Sequence, residues 1–195
     1  MRLPVQLVLA STSPYRRALL ERLSPNFVCD PPRVDETQLS PEAPAALVRR
    51  LAYAKAKAVA VRHPQSLVIG SDQVAALDDT VVGKPGSHAR AITQLSTVSG
   101  RLVSFYTAVC VLDTRNQQHH EHLDTTHVRF RQLSTVEIER YLQVEQPYDC
   151  AGSFKSEGLG ISLFDAIESE DPTALIGLPL IGLCRLLRAC GLTLP

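Results

Sequence analysis

Ser11-Thr12-Ser13, followed at once by Arg16-Arg17, sets hydroxyls and guanidinium groups where an apolar run gives way to a helical pattern. A strand-to-helix junction offers backbone N–H groups and the positive end of a helix dipole, which together suit an anion. The glycine pattern of a Walker loop is missing, so this stretch alone fits a capped helix with solvated arginines equally well. Gly70-Ser71-Asp72-Gln73 puts an acid just past the buried apolar run Leu67–Ile69. A strand holds such a group rigidly at the edge of a ligand crevice, although a turn-capping aspartate has the same appearance. In Gly83-Lys84-Pro85 a stiff turn aims an ammonium, a good point charge for phosphate, where an exposed turn lysine is the commoner case.

Further candidates are Glu36 in Val34-Asp35-Glu36-Thr37, Lys55 or Lys57 on a helical stretch, and Lys155-Ser156-Glu157-Gly158 in a glycine-containing loop. Each taken singly is an ordinary surface charge. Taken together they balance: Ser11, Arg16, Lys55 and Lys84 would neutralise a polyphosphate, while Asp72 and Glu36 would hold a divalent cation or activate water. That set suits phosphoanhydride hydrolysis, in which cations stabilise the leaving pyrophosphate and a carboxylate prepares the nucleophile. Histidine contributes less. His119-His120 and His122 fall in a polar stretch read as a solvated turn, and neither an HExxH nor a GxSxG spacing occurs.

The elements that must carry these groups follow from pattern. Val5 to Ala10 reads as a short buried strand, and Ser13 with Pro14 opens a helix backed by Leu19, Leu20 and Leu23. Phe27 to Cys29 reads as a strand, and a helix is predicted from Ala43 to Arg62 with Leu47, Leu51 and Ala54 along one side. Leu67–Ile69 is a buried strand, and a strand pair around Val74 to Val82 turns at Asp78-Asp79. A helix over Ser87 to Thr97, a strand over Leu102 to Leu112 and a half-exposed strand over His127 to Arg131 come next. Ser134 to Glu137 matches a capping box opening a helix to Gln143, Cys150 to Gly160 reads as a loop, and Ile181 to Cys190 as a helix. Alternating strands and helices predict an α/β domain.

Composition narrows the partners. The chain has 195 residues, enough for one large domain or two small lobes sharing a core. Twenty basic residues against twenty acidic ones argue against nucleic acid or a membrane surface as partner. No apolar stretch is long enough to span a bilayer, and the start of the chain, with Arg2 and Pro4, lacks a signal-peptide core. Five cysteines with no CxxC spacing predict free thiols and a cytoplasmic setting, with Cys184 and Cys190 as buried bystanders.

LASTSPYRR, VDE at 34–36, RLAYAKA at 50–56, GSDQV at 70–74, GKP at 83–85, AGSFKSEG at 151–158 and IGLPL at 176–180 occur in the order of the Maf family, which the sequence resembles over nearly its whole length. Members of that family are nucleoside triphosphate pyrophosphatases. The resemblance implies cleavage between the α and β phosphates with a divalent metal, Mg²⁺ or Mn²⁺, and Asp72 as the catalytic carboxylate. It places Ser11, Arg16, Glu36, Lys55 and Lys84 on phosphate, metal and catalytic positions, with Glu36 and Asp72 toward the metal. It also implies a single domain over residues 1–195: a mixed elongated sheet flanked by helices, in two lobes with a substrate cleft between them. Homodimers are known among such proteins.

Three departures from the commoner family pattern point within the family. Tyr15 stands in Ser13-Pro14-Tyr15-Arg16 where many members read SPRR; Gln73 stands where many have the threonine of ADT; Glu157 stands where many have glutamine. Together they resemble the YceF-type branch, whose members prefer 7-methyl-GTP. N7-methylguanine carries a ring positive charge, which the face of an aromatic ring attracts. Glu157 would accept from N1–H and the 2-amino group and add charge attraction. Tyr15 would stack on the base or pack in the core to shape the pocket. The alternatives are the family branch acting on dTTP and UTP, and a nucleotide-binding regulator of septum formation that does not hydrolyse.

Overall fold

A computed structural model of the chain describes residues 5–194. The segment 1–4 weighed above as a signal-peptide start lies outside the described residues. Seven strands form one mixed sheet in the order β2-β1-β3-β5-β6-β7, with β4 paired to β3, and five α-helices accompany them among the described residues. The expected α/β class and mixed sheet are thus observed. The chain divides into two compact units. One comprises the chain up to Asp72, Thr107–Asp124 and the chain from Asp171 onward; the other comprises Gln73–Tyr106 and Thr125–Glu170. Strands β3 (Ser66–Leu77), β5 (Leu102–Asp113) and β6 (Gln118–Phe130) contribute residues to both.

In the first unit, Leu7, Val8 and Leu9 are fully buried in β1 (Gln6–Leu9). This strand runs parallel to β2 (Val28–Cys29) on one side and to the start of β3 on the other, with Leu9 opposite Ile69. Strands apolar on both faces are what a covered parallel sheet needs. Helix α1 (Pro14–Glu21) begins where expected: Ser13 caps it by accepting from the Arg16 N–H, and Pro14 occupies the first turn. Leu19 and Leu20 join Leu7, Leu9, Leu67 and Ile69 in a core that Leu183 and Leu187 of α5 (Leu180–Ala189) complete. Burying each such leucine contributes about 1.5–3 kcal/mol before the entropy of ordering is charged against it.

Helix α2 (Pro44–Ala60) lies hard against β3 at Gly70. A Cβ there would come within 2.1 Å of the Ala52 carbonyl oxygen and 2.7 Å of the Ala56 nitrogen. The absent side chain therefore lets helix backbone touch strand backbone. The buried face of α2 carries Leu47, Val48, Leu51, Ala52, Ala56 and Val59, and among them Lys55, whereas Lys57 is exposed.

The second unit holds α3 (His88–Val98), α4 (Thr135–Glu145), the β3–β4 hairpin with β4 at Thr80–Val82, and the edge strand β7 (Phe164–Glu168). Asp78 and Asp79 turn the hairpin with φ of 48° and 63°, the left-handed pair that matches strand twist. Both hydrogen bonds of the Ser134–Glu137 capping box are present. Phe105, Phe130, Phe154 and Phe164 pack edge to face, with centroids 4.7 to 5.7 Å apart.

Several expectations are corrected. Gly70 to Gln73 does not follow a strand; it lies inside β3, which runs on to Leu77 because its later residues pair antiparallel with β4. It is β1 that stops, at Leu9, so Asp72 stands beyond the end of its parallel neighbour. The polar turn ends at Gln117, and His119, His120 and His122 belong to β6. There the His119 ring sits 4.7 Å from that of Tyr53, and His122 packs over Gly182. Cys184 and Cys190 are half-buried; Cys110 is the fully buried thiol, its pKa pushed up to about 12 by burial. Strand β7, Phe-Asp-Ala-Ile-Glu with no fully buried residue, has no sustained apolar alternation to announce it in the sequence.

Candidate active site

Lys55 is the hub of the first unit's polar cluster. Its Nζ donates to Asp72 Oδ1 at 2.6 Å and lies 2.7 Å from Glu36 Oε1. Lysine and aspartate are each only 5% exposed, and a buried charge is tolerable only when paired in this way. The position of Lys55 follows from the sequence through Gly70: close approach of α2 to β3 brings Lys55, on the buried face of the helix, to Asp72, the second residue past the glycine.

Glu36 is exposed and comes from a loop, so its placement depends on tethers. Arg50 of α2 grips Glu42 through two hydrogen bonds, Nε to Oε1 at 2.7 Å and Nη2 to Oε2 at 2.8 Å. Arg50 also donates to the Thr37 carbonyl at 3.1 Å, and the Leu39 N–H donates to Glu42 at 3.0 Å. This holds the Glu42 carboxyl at a pKa of about 2, chiefly through the Arg50 hydrogen bonds. Beside Glu36, Asp35 folds back on Thr37, accepting from its N–H and its hydroxyl. At the start of the loop, Arg62 and His63 clamp Asp30.

Arg16 is half-buried, and its Nε donates to the Gly177 carbonyl at 2.9 Å. Loss of hydration lowers its pKa from the usual guanidinium value, while the charges of Asp72 and Glu36 oppose that shift. Arg16, Lys55, Asp72 and Glu36 therefore act on one another as a balanced set of two positive and two negative groups. Ser11 is buried just past β1, and its Oγ accepts from the Ser13 N–H at 3.1 Å. Ser13 Oγ accepts from the Arg16 N–H at 3.4 Å. Each hydroxyl keeps its own proton to offer. Arg17, one residue on, is exposed and pairs with Glu21 on its own helix, as expected of a solvated arginine.

Residues that sequence reasoning missed hold this set in place. The Gly177 carbonyl accepts from both Arg16 and the buried Ser71 hydroxyl, the latter at 2.9 Å. Ser71 Oγ also lies 2.8 Å from the Ala108 carbonyl of β5. Gly177 has φ of 122°, a conformation that favours glycine, and a Cβ there would meet Arg16 at 3.5 Å. Buried Asp171 fixes the same segment by accepting from Thr173 and from the Ile181 N–H at the start of α5. The signal available in sequence was Gly-Leu-Pro in IGLPL, which reads as a helix start and says nothing of which carbonyl faces inward.

The first unit thus brings Ser11, Arg16, Glu36, Lys55 and Asp72 together, with Tyr15 half-buried beside Arg16 on α1. Gln73, Lys84 and Glu157 belong to the second unit. Gln73 is half-buried; Lys84 and Glu157 are exposed, and Glu157 accepts from the Ser156 hydroxyl at 3.3 Å. Lys155 is tied to α4, with its Nζ donating to the Glu145 carbonyl at 3.3 Å and its N–H to the Tyr141 hydroxyl.

Among the described residues no group of three or more His, Cys, Asp or Glu could hold a metal ion by itself. Glu36 and Asp72 both lie against the Lys55 ammonium, and carboxylate is the donor type that an ion of the magnesium type takes. Such ions take one or two carboxylates and complete their shell with phosphate oxygens and water. Glu36 and Asp72 are the donors that would serve.

Residues 6–190 match the family model described as Maf-like protein. The chain belongs to the Maf family. Relatives of this family member include a 7-methyl-GTP pyrophosphatase of Xanthomonas oryzae pv. oryzae (strain MAFF 311018), 59% identical over 97% of this chain and 99% of the relative. Proteins of the same name from Aromatoleum aromaticum and Burkholderia pseudomallei (strain 1710b) are 57% and 56% identical, covering 97% and 96% of this chain and 98% and 89% of their own. In fold, the chain is similar to the Staphylococcus aureus Ham1 protein, with TM-score 0.50, 12% identity, and 95% and 97% of the two chains covered. No helix among the described residues is long and apolar enough to cross a membrane.

Proposed function

We propose that this Maf family member hydrolyses 7-methyl-GTP to 7-methyl-GMP and pyrophosphate, clearing a noncanonical nucleotide in the cytoplasm, with residues 1–195 acting as one catalytic domain. The observation that carries the reading is the buried Asp72 carboxylate, bonded to Lys55 at 2.6 Å within a cluster that also holds Glu36 and Arg16. The printed name shared by relatives at 56–59% identity supports the substrate.

Asp72 is the general base. Lys55 engages its Oδ1, which orients the carboxylate and leaves Oδ2 to take the proton of the attacking water. Water adds at the α-phosphorus, the bond to the α–β bridging oxygen breaks, and pyrophosphate leaves with the electron pair. Arg16, Lys55 and Lys84 stabilise the charge that gathers on the leaving group, and the Ser11 hydroxyl donates to a phosphate oxygen. Glu36 and Asp72 would hold Mg²⁺ or Mn²⁺, which supplies neutralisation of phosphate charge when bound. Tyr15, Gln73 and Glu157 set base preference, with Glu157 accepting from the guanine edge and its charge attracting the methylated ring.

A nucleotide panel with Mg²⁺ or Mn²⁺, scored by kcat/KM with products identified, tests the proposal. The expected result is fastest turnover of 7-methyl-GTP. Equal or faster turnover of dTTP and UTP overturns the substrate, and no pyrophosphate release from any nucleotide overturns the reaction.

A further inference from the structure

Within the second unit, the loop carrying Lys84 and the loop carrying Glu157 are joined through one side chain. Gln94 of α3 donates from Nε2 to the Gly83 carbonyl at 3.1 Å, and its Oε1 accepts from the Ser153 hydroxyl at 2.5 Å. The direction of this chain is fixed by chemistry. A carbonyl only accepts, so Nε2 must face Gly83; Oε1 then faces Ser153, whose hydroxyl must donate.

Both ends of the link sit at built positions. Ser153 has no exposure to solvent and holds φ of 63°, unusual for a residue with a side chain. Before it, Gly152 lies within a Cβ's reach of Phe105 and Phe154, so the loop is wedged into the aromatic core at this point. Four residues after Ser153 comes Glu157. At the other end, the Gly83–Gly86 turn is pinned twice: at its first carbonyl by Gln94, and at its last N–H, where Gly86 donates to the Tyr148 carbonyl at 3.0 Å. Tyr148 is held in turn by His88, whose Nδ1 lies 2.9 Å from its hydroxyl and whose Nε2 lies 3.0 Å from Glu139. Pro85 is buried between these anchors, and Lys84 stands exposed on the turn they fix.

We propose that Gln94 is a positioning residue that couples the Lys84 turn to the Ser153–Glu157 loop, so that the groups assigned to phosphate and to base are set as one piece. The proposal rests on the roles given above to Lys84 and Glu157. It predicts that a change in the loop assigned to the base alters affinity for a ligand that has no base.

Ser153→Ala removes the donor to Gln94. Gln94→Glu keeps the acceptor for Ser153 but sets a carboxylate against the Gly83 carbonyl. Amide hydrogen exchange at Gly86 of the free protein, whose N–H donates to the Tyr148 carbonyl at the far end of the turn, reads the link without reference to function. Both variants are expected to speed it roughly 3- to 10-fold, the size of one net hydrogen bond. Unchanged exchange in either variant overturns the coupling. Calorimetric titration with inorganic tripolyphosphate and Mg²⁺ then reads its consequence, with an expected loss of affinity of similar size in both variants. If both bind as wild type does while Lys84→Ala binds more weakly, the coupling has no bearing on binding and the proposal falls. If Lys84→Ala itself binds as wild type does, the phosphate role of Lys84 has failed and takes the proposal with it.

Discussion

The chemistry assigned to the chain comes down to single groups. Asp72→Asn keeps the size and most of the hydrogen bonding of the side chain but removes its basicity. We expect kcat to fall by about 10²-fold or more, with nucleotide binding retained or tightened as negative charge leaves the cluster. A titration of bound nucleotide alongside steady-state rates checks both halves. Glu157→Gln exchanges a charge-assisted hydrogen bond for a neutral one, so the preference for 7-methyl-GTP over GTP should shrink by roughly fivefold. A ratio of kcat/KM values that does not move would remove Glu157 from the specificity set. Gly177→Ala forces a side chain onto a backbone at φ of 122° and toward Arg16. We expect a lower Tm together with a raised KM, because the carbonyl that holds Arg16 and Ser71 must shift.

At the scale of elements, the site depends on how α2 is seated and on how the loop bearing Glu36 is tied to it. Gly70→Ala places a methyl group 2.1 Å from the Ala52 carbonyl oxygen. Overpacking of this kind costs about 1–3 kcal/mol or more, and here it should also part Lys55 from Asp72. Thermal unfolding and turnover measured on the same variant should both fall. The tether of the loop is acid-sensitive. Glu42 has its pKa lowered to about 2 from an ordinary value of 4.5 by Arg50. A depressed carboxylate stabilises the folded state fully above its unfolded pKa, and that contribution is lost as pH falls toward the folded value. Glu42→Gln should therefore be less stable than the natural chain at pH 6, with the gap narrowing between about 4.5 and about 2. Denaturant unfolding across that range is the check, and a gap that persists at pH 2 would mean the effect is not the Glu42 charge.

For the molecule as a whole, much of the architecture could be read from pattern, because buried strands, helix caps and turns carry local signals. Ser13-Pro14, the Ser134–Glu137 box and the Asp78-Asp79 turn each sit where their residue types demand. The charged residues of the first unit were also legible, but only as a set, since Lys55 alone looks like any helical lysine until Gly70 is seen to draw its helix inward. What sequence could not supply was the backbone's share. The inward carbonyl of Gly177, the continuation of β3 through Asp72 and the glutamine link from Gly83 to Ser153 depend on contacts between distant segments. The reaction proposed for the whole molecule is water attack at the α-phosphorus of 7-methyl-GTP. Hydrolysis in ¹⁸O-enriched water with Mg²⁺, followed by mass analysis of the separated products, tests it most directly. Attack at that phosphorus yields 7-methyl-GMP carrying one ¹⁸O atom and unlabelled pyrophosphate; 7-methyl-GDP with free phosphate, or label in the pyrophosphate, would show attack at another phosphorus.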